Sequence, residues 1–187
     1  MIAGVLLAAG GARRFGSQKL VAPFDGAPLV RHAAGTLARS TDALVIVIGH
    51  DAEAMRTALT GIDASIVVNA DWKQGLSSSL RCGIAALPPD VEAIVVALGD
   101  QPRVDPLVVR SLVDSWRSSG KPIVTARYRG ERGHPVLFER SVFPQLTMLR
   151  GDVGARTIFE QSPGQVAYVE VDDVVPADID TIEDLER

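Results

Sequence analysis

The chain has 187 residues, of which 47% are apolar, and a formal net charge of −4. This length and composition are typical of one folded domain with a full core and exclude a disordered or collagen-like chain. The acidic balance, with no basic run, argues against a nucleic-acid partner. The single cysteine, Cys82, cannot form an internal disulfide, which suits a reducing cytosol.

The apolar start of the chain does not have the pattern of a targeting signal. Its positive charges, Arg13 and Arg14, follow the apolar run instead of preceding it, and the run is short. No stretch approaches the roughly 18 consecutive apolar residues that a membrane-spanning helix needs. We therefore expect one domain over residues 1–187 of a cytoplasmic protein, without a membrane partner.

Short apolar runs alternate with helix-forming stretches along the chain. The apolar runs have the length of buried strands and cover residues 2–7, 44–48, 65–68, 94–98 and 166–171. The helical stretches cover residues 29–38, 51–59, 76–87, 106–118, 141–149 and 153–161, with a terminal helix from Thr181. Asp51 is placed to cap the second of these helices, and Pro106 to begin the fourth.

This alternation predicts a mostly parallel sheet covered on both faces. Residues 122–128 and 135–138 depart from it, since they have strand composition around a turn at 130–133 and predict an antiparallel excursion. The expected fold is α/β: a three-layer α/β/α sandwich with a mostly parallel, Rossmann-like sheet. In such folds the ligand lies at the carboxyl ends of the parallel strands.

The first predicted strand runs into a small, glycine-rich and basic segment that ends at Lys19. Small residues let the backbone bend and a ligand approach, and exposed N–H groups beside cationic side chains bind phosphate. The segment is not a P-loop, whose lysine would follow Gly16 directly, and it lacks the G-x-G-x-x-G dinucleotide fingerprint. The alternative is an ordinary strand-to-helix turn with surface charges.

Residues 7–19 spell L-A-A-G, three residues, Arg, one residue, Gly, two residues and Lys. This resembles the signature loop of nucleotidyltransferases that activate a phosphorylated substrate with a nucleoside triphosphate, whose sandwich is of the nucleotide-diphospho-sugar transferase type. The resemblance implies that the loop backbone holds the triphosphate with Arg14 and Lys19, both catalytic. The nucleotide-binding residues it implies in this loop are Leu7, Ala8, Ala9, Gly10, Gly11, Arg14, Gly16 and Lys19. Ala12 departs from relatives that often have serine there, so a hydroxyl contact to the phosphates is lost.

A carboxylate follows the fourth apolar run in the segment Gly99-Asp100-Gln101-Pro102. It would lie on the same sheet edge as the glycine-rich loop. Mg²⁺ prefers carboxylate oxygens combined with substrate phosphates, so Asp100 is the first candidate for a metal ligand and a catalytic residue. A carboxylate that only caps a turn is the alternative.

The tail over residues 178–185, D-I-D-T-I-E-D-L, is similar to the family ending D-x-D-T-x-E-D-L. In the family an acidic or amide residue there supplies the second metal contact. The resemblance implies Mg²⁺ bound by Asp100 and Asp180, with Asp178 in reserve. An acidic helix start is the alternative, and both interpretations can hold together.

A third segment, over residues 69–80, reads N-x-x-W-x-x-G-L-S-S-S-L. Serines at a helix start supply hydroxyls and free N–H groups suited to a base edge or a phosphate. In the family a similar segment lies against the nucleotide base, which implies contacts from Asn69, Ser77 and Ser79. Ser77 is also expected to cap the helix, and Trp72 is interpreted as packing.

Two further segments resemble one branch of the family, the molybdenum cofactor cytidylyltransferases. G-E-R-G-H-P-V at 130–136 and G-D-V-G-A-R at 151–156 match patterns that line the pterin phosphate pocket in that branch. The implied acceptor-binding residues are Gln101, Pro102, His134 and Arg156. Arg156 could instead pair with Asp152.

The implied reaction transfers CMP from CTP to the phosphate of molybdopterin or molybdenum cofactor, with Mg²⁺ and release of pyrophosphate. Ala9 favours cytidine, because guanylyl relatives more often have glycine at that position. The alternatives are a guanylyl- or cytidylyltransferase for another phosphate monoester, such as a sugar or polyol phosphate, and a cofactor-binding chaperone without turnover. A molybdoenzyme or its maturation factor would be a transient partner.

Overall fold

The computed structural model describes residues 1–11, 18–152, 156–181 and 183–186. Within these ranges a seven-stranded sheet is covered by helices on both faces, which confirms the predicted three-layer sandwich. The strands are β1 (Ile2–Ala8), β2 (Pro23–Phe24), β3 (Ala27–Pro28), β4 (Ala43–Ile48), β5 (Ser65–Val68), β6 (Ala93–Leu98), β7 (Ile123–Tyr128), β8 (Glu131–Glu139) and β9 (Val166–Val171). The α-helices are α1 (Leu29–Ala38), α2 (Ala52–Ala58), α3 (Leu76–Ala85), α4 (Pro106–Ser119), α5 (Phe143–Met148) and α6 (Arg156–Gln161).

The strand order in the large sheet is β5-β4-β1-β6-β8-β7-β9, and β2 pairs with β3 in a separate hairpin. The pairs β5–β4, β4–β1, β1–β6 and β7–β9 are parallel, whereas β8 runs antiparallel to β6 and β7. All seven residues of β1 are buried, because helices cover the central strands on both faces. This explains the uninterrupted apolar runs in the sequence.

The core has two parts, one on each face of the sheet. On one face Leu6 packs with residues of α1, α2 and α4, including Leu29, Met55 and Leu112. On the other face Val5 and Leu7 pack with residues of α3, α5 and α6. Alternate residues of β1 therefore serve opposite layers, as the pleat requires.

The hairpin between β7 and β8 is tighter than predicted. Its turn consists of Arg129 and Gly130, which have φ values of 44° and 94°. Two residues with positive φ match the twist of the flanking strands in a two-residue hairpin. β8 therefore begins at Glu131, and the prediction of a turn across residues 130–133 is wrong.

Several helix ends also differ from the sequence predictions. α3 stops at Ala85, two residues before the predicted end at residue 87. Asp51 has a φ of 52°, and among the described residues its carboxylate makes no capping hydrogen bond to α2. The terminal helix predicted from Thr181 is a 3₁₀ turn over Glu183–Glu186, because the Asp184 carboxylate accepts hydrogen bonds from the backbone just before it. Residues 153–155, the predicted start of α6, lie outside the described residues.

In the part of the chain that the structure describes, no helix is long and apolar enough to cross a membrane.

Candidate active site

The carboxyl ends of β1 and β6 form the floor of the site. These strands are parallel neighbours in which Leu7 pairs with Leu98. The Gly99 N–H donates a hydrogen bond to the Leu7 carbonyl at 3.0 Å, and a Cβ at Gly99 would lie 3.1 Å from that of Ala8. This close approach brings Asp100 next to the start of the glycine-rich loop.

Lys19 lies between two carboxylates at this edge. Its Nζ donates to Oδ2 of Asp100 at 2.9 Å and to Oδ1 of Asp180 at 3.0 Å. The Lys19 side chain is 12% exposed. Burial alone lowers its pKa, but attraction to Asp100 and the hydrogen bonds to both carboxylates outweigh this and raise the pKa above its ordinary value. The structure thus brings together three residues that are 81 and 161 positions apart along the chain.

The pair Asp100 and Asp180 fits a divalent cation, because the space between their oxygens already holds one positive charge, the Lys19 ammonium. Within the described ranges, no group of three or more His, Cys, Asp or Glu side chains could hold a metal ion by itself. Further ligands would therefore come from bound phosphate or water, which is how Mg²⁺ commonly binds with nucleotide substrates.

The tail that carries Asp180 is fixed to the sheet edge. Ile179 is buried in the core, and its N–H donates to the Asp100 carbonyl at 3.0 Å. The preceding residue, Asp178, accepts a hydrogen bond from Nε2 of Gln101 at 2.8 Å. This hydrogen bond was not predicted from the sequence, and it ties the Gln101 side-chain amide to the C-terminal tail. The sequence signal for this hydrogen bond is weak: both residues belong to segments that are predicted to lie at the same edge of the sheet.

A cavity of about 240 Å³ opens beside the lysine and is the candidate nucleotide pocket. Its lining includes six of the predicted nucleotide-binding residues, Leu7, Ala8, Ala9, Gly10, Lys19 and Ser79. Trp72, interpreted from sequence as packing, also lines this cavity while its ring lies 5.2 Å from the His50 ring. A Cβ at Gly11 would lie 3.2 Å from the same tryptophan, so glycine lets the loop pass close to it.

The start of α3 is closed by the chain around residue 151. The Leu76 N–H donates to Oδ1 of Asp152 at 3.2 Å, and the Ser77 N–H donates to the Gly151 carbonyl at 3.2 Å. The expectation of free N–H groups at this helix start is wrong for these two positions. The expectation that Ser77 caps the helix is also wrong, since Gly75 is the N-cap residue and Asp152 supplies the capping carboxylate.

Asn69 organises the serines of α3. Its Nδ2 donates to Oγ of Ser78 at 2.8 Å and of Ser79 at 3.0 Å, while its Oδ1 accepts from the Asp71 N–H at 3.0 Å. The side chain is buried. Asn69 therefore holds the wall of the nucleotide pocket through its neighbours.

A larger cavity, of about 500 Å³, lies on the side of β8 and is the candidate acceptor pocket. It is lined by Leu7, Leu76, Ser77, Leu80, Val96, Thr125, Gly130, Glu131, Arg132, Gly133, His134, Val136, Phe138, Leu149 and Phe159. Of the predicted acceptor residues, His134 contributes to this wall, and burial lowers its pKa to about 4. Ser77, predicted on the nucleotide side, also faces this cavity. The ring of Tyr128 fixes the segment, since its hydroxyl donates to the His134 carbonyl at 2.9 Å.

Three of the predicted site residues fall wholly or partly outside the described ranges. Arg14 and Gly16 lie outside the described residues, and Arg156 begins α6 with its side chain outside the description. Pro102 is buried behind Asp100.

Because the Lys19 ammonium and two carboxylates meet beside a glycine-rich loop, the site suits a nucleoside triphosphate bound together with a metal ion, as a nucleotidyltransferase requires. The chain belongs to the MobA-like NTP transferase domain family, whose model matches residues 4–166.

Two relatives illustrate how far this similarity extends. The nicotine blue oxidoreductase of Paenarthrobacter nicotinovorans is 35% identical over 197 residues, covering 100% of this chain and 95% of the relative. The bifunctional protein GlmU of Burkholderia ambifaria strain MC40-6 is 33% identical over 70% of this chain, which spans only 29% of GlmU.

Solved structures agree with this assignment. Rv0371c of Mycobacterium tuberculosis H37Rv has a TM-score of 0.90 at 33% identity, covering 99% of this chain and 95% of that protein. A complex of Rv0371c with manganese has a TM-score of 0.85 at 32% identity over 99% and 96% of the two chains, which indicates a divalent metal in this family. The fold is shared with CMP:2-keto-3-deoxy-manno-octonic acid synthetase, whose structure is a complex with CTP. The TM-score is 0.78 at 14% identity, and the match covers 99% of this chain and 95% of the synthetase.

Proposed function

We propose that the protein transfers CMP from CTP to the phosphate of molybdopterin or molybdenum cofactor, with Mg²⁺, and releases pyrophosphate. The observation that carries the proposal is the Lys19 contact with Asp100 and Asp180 beside the glycine-rich loop. The candidate nucleotide pocket and the candidate acceptor pocket share Leu7 and Leu76 in their walls. Two adjoining cavities at a charged sheet edge suit a reaction that joins two substrates.

On the nucleotide side, Arg14 and Lys19 would offset the charge of the triphosphate and of the leaving pyrophosphate. The backbone from Leu7 to Gly11 would lie against the phosphates, and Ser79 against the nucleoside. Ala9 is 3% exposed and lines the pocket, where its methyl would narrow the space for the base. This supports cytidine, the smaller base.

The proposed chemistry is an in-line displacement at phosphorus. An oxygen of the acceptor phosphate attacks the α-phosphorus of CTP, a new P–O bond forms, and the bond to the β-phosphate oxygen breaks as pyrophosphate departs. The second pKa of a phosphate monoester is about 6, so the nucleophile needs no general base at neutral pH. The protein contributes positioning and charge neutralisation. A divalent cation held by Asp100 and Asp180 would add positive charge at the α-phosphate.

On the acceptor side, the low pKa of His134 keeps its imidazole neutral at physiological pH, as a hydrogen-bonding group without charge. Arg156 would contact the acceptor phosphate. Gln101 would act through Asp178 by holding the tail, and Pro102 by shaping the turn after Asp100. We place the reaction in the cytoplasm, in keeping with the single cysteine, Cys82. A molybdoenzyme or its maturation factor would collect the product there.

The test is pyrophosphate release on mixing the protein with molybdopterin, with or without molybdenum, and CTP or GTP in the presence of Mg²⁺ or Mn²⁺. We expect release that requires acceptor and metal together, with CTP preferred. Release with a sugar or polyol phosphate instead would identify a different acceptor. Tight binding of molybdopterin and nucleotide without any release would identify a chaperone.

Oxidoreduction is a second candidate function, because a relative named for that activity matches the whole chain at 35% identity. The discriminating measurement is the loss of nicotine blue absorbance with a nicotinamide dinucleotide as reductant. Reduction without pyrophosphate release would favour this candidate over nucleotidyl transfer.

A further inference from the structure

The Lys19 ammonium occupies the position between Asp100 and Asp180 that a divalent cation would take. Its Nζ lies 2.9 Å and 3.0 Å from one oxygen of each carboxylate. An ammonium and a metal ion cannot share that space, and both draw on the same oxygen lone pairs. A metal ion held between these two oxygens in the free protein must therefore displace the lysine.

The backbone at Asp100 and Asp180 is held in place by contacts that do not involve Lys19. Asp100 follows β6 directly, and the Ile179 N–H donates to its carbonyl at 3.0 Å. Ile179 itself is 3% exposed, which anchors the neighbouring Asp180 to the core. Asp184 then accepts from the N–H groups of Asp180 and Thr181 at 3.1 Å and 2.9 Å. The backbone that carries both carboxylates is thus anchored by contacts that do not involve the lysine.

The Lys19 ammonium has a second possible position, in the candidate nucleotide pocket. The residue lines the candidate nucleotide pocket together with Asp100, and its four-carbon stem ends in a freely rotating ammonium. A bound triphosphate carries several negative charges in that pocket and would attract the ammonium more strongly than the two carboxylates do. Moving Nζ to a phosphate leaves both carboxylates with unpaired charge.

We propose that Lys19 is an internal counter-cation that keeps divalent metal away from Asp100 and Asp180 until a nucleoside triphosphate draws the lysine off. This proposal depends on the proposed function in one respect, which is that a triphosphate and a metal ion bind at the carboxyl edge of the sheet. Nucleotide and metal then bind with positive coupling, and by thermodynamic reciprocity each raises the affinity for the other. In the free protein the lysine offsets one of the two negative charges, so the site does not collect metal without substrate.

The test measures Mn²⁺ binding without nucleotide, from the electron paramagnetic resonance signal of free Mn²⁺, at one neutral pH. Lys19→Gln and Lys19→Met remove the ammonium and leave both carboxylates, so we expect Mn²⁺ to bind about tenfold more tightly than to the wild type. Lys19→Arg keeps the charge and should exclude metal as the wild type does. Lys121→Gln is the matched control, because Lys121 is an exposed lysine whose Nζ donates to the Gly164 carbonyl away from the site.

Two further measurements complete the test. The affinity gained in Lys19→Gln should disappear in the double variant with Asp180→Asn. In the wild type, a non-reacting methylene analogue of CTP should raise protein-bound Mn²⁺, detected by water-proton relaxation, which separates it from Mn²⁺ on free nucleotide.

Equal Mn²⁺ affinity of wild type and Lys19→Gln would overturn the proposal, as would a gain that survives Asp180→Asn. Either outcome is compatible with normal pyrophosphate release by the wild type. Conversely, metal exclusion by Lys19 together with no release from CTP and molybdopterin would overturn the proposed reaction alone.

Discussion

The two cavities at the carboxyl edge of the sheet differ in how they can recognise a ligand. The smaller one has Lys19 and Asp100 in its wall and backbone from the glycine-rich loop around it. The larger one combines a broad apolar wall with the hairpin residues Glu131 and Arg132 and with His134, which is uncharged at neutral pH. In the first cavity a lysine and a carboxylate lie directly at the ends of the parallel strands, whereas in the second the charged side chains lie on the β7–β8 hairpin at the edge of an apolar wall.

This difference follows from which strands build each cavity. The smaller cavity lies where two parallel strands end, so the segments that leave the sheet bring Lys19 and Asp100 into its wall. The larger one lies against the antiparallel strand β8, whose residues Val136 and Phe138 present apolar side chains to it. Substitutions should therefore act through electrostatics in one cavity and through fit in the other.

The largest expected effect is loss of turnover on removing charge from the smaller cavity. Lys19→Ala and Asp100→Ala should each lower pyrophosphate release at least about a hundredfold, the scale for losing one group that stabilises transition-state charge. Asp114→Ala, which removes an exposed carboxylate on α4, should leave the rate unchanged. Near-wild-type release from either site variant would show that charge is not what the smaller cavity provides.

The next effect concerns the seam between the cavities, where Gly75 meets the segment at residue 151. A Cβ on Gly75 would lie 2.5 Å from Oδ1 of Asp152 and from the Gly151 carbonyl carbon, and its φ is +96°. We expect Gly75→Ala to lower the free energy of unfolding by about 2 kcal/mol, measured by urea denaturation. Gly61→Ala is the control, since it has a φ of +81° but nothing within 4 Å. Equal losses in both variants would mean that the clash at the seam contributes nothing.

In the larger cavity, His134→Leu should weaken acceptor binding and leave the nucleotide alone. The leucine fills similar volume without a hydrogen-bonding group, so we expect the KM for the acceptor to rise about tenfold. The KM for CTP should stay constant, and His134→Asn should recover part of the loss. A change in the KM for CTP of the same size would contradict the separation of the two cavities.

The neutrality of His134 also predicts a pH dependence of stability. Because burial lowers its pKa from 6.5 to about 4, the unfolded chain takes up a proton in that window which the folded chain does not. Stability should therefore fall as the pH drops from 6.5 towards about 4. In thermal scans, His134→Asn should reduce this acid-induced loss by about 10 °C. An identical loss in the variant would show that this histidine is charged in the folded protein.

The smallest expected effect is on the choice of base. Ala9→Gly removes one methyl from the wall of the smaller cavity, and we expect the ratio of GTP to CTP turnover to rise about fivefold, since one carbon changes selectivity modestly. Steady-state rates with each nucleotide measure this ratio. A ratio that does not move would assign base selection to another part of the pocket.

Much of the fold could be predicted from the sequence, because the signals are local. Continuous apolar runs such as those of β1 and β6 identify buried parallel strands, and Pro106 marks the start of α4. The exact hairpin turn could not be predicted, since Arg129 adopts a positive φ that its residue type does not favour. The prediction of a terminal α-helix was wrong because the Asp184 carboxylate accepts a hydrogen bond from the Thr181 N–H.

For the site, the residue types and their order can be read from the sequence: a glycine-rich loop that ends in Lys19, a carboxylate after β6 and an acidic tail. Which of these residues touch one another depends on how the strands and the tail are arranged in space. The contact of Lys19 with Asp100 and Asp180, the cap that Asp152 gives α3 and the Gln101–Asp178 hydrogen bond all join residues that are distant in sequence. Such contacts depend on strand order and on where the tail crosses the sheet edge, and no local pattern encodes either.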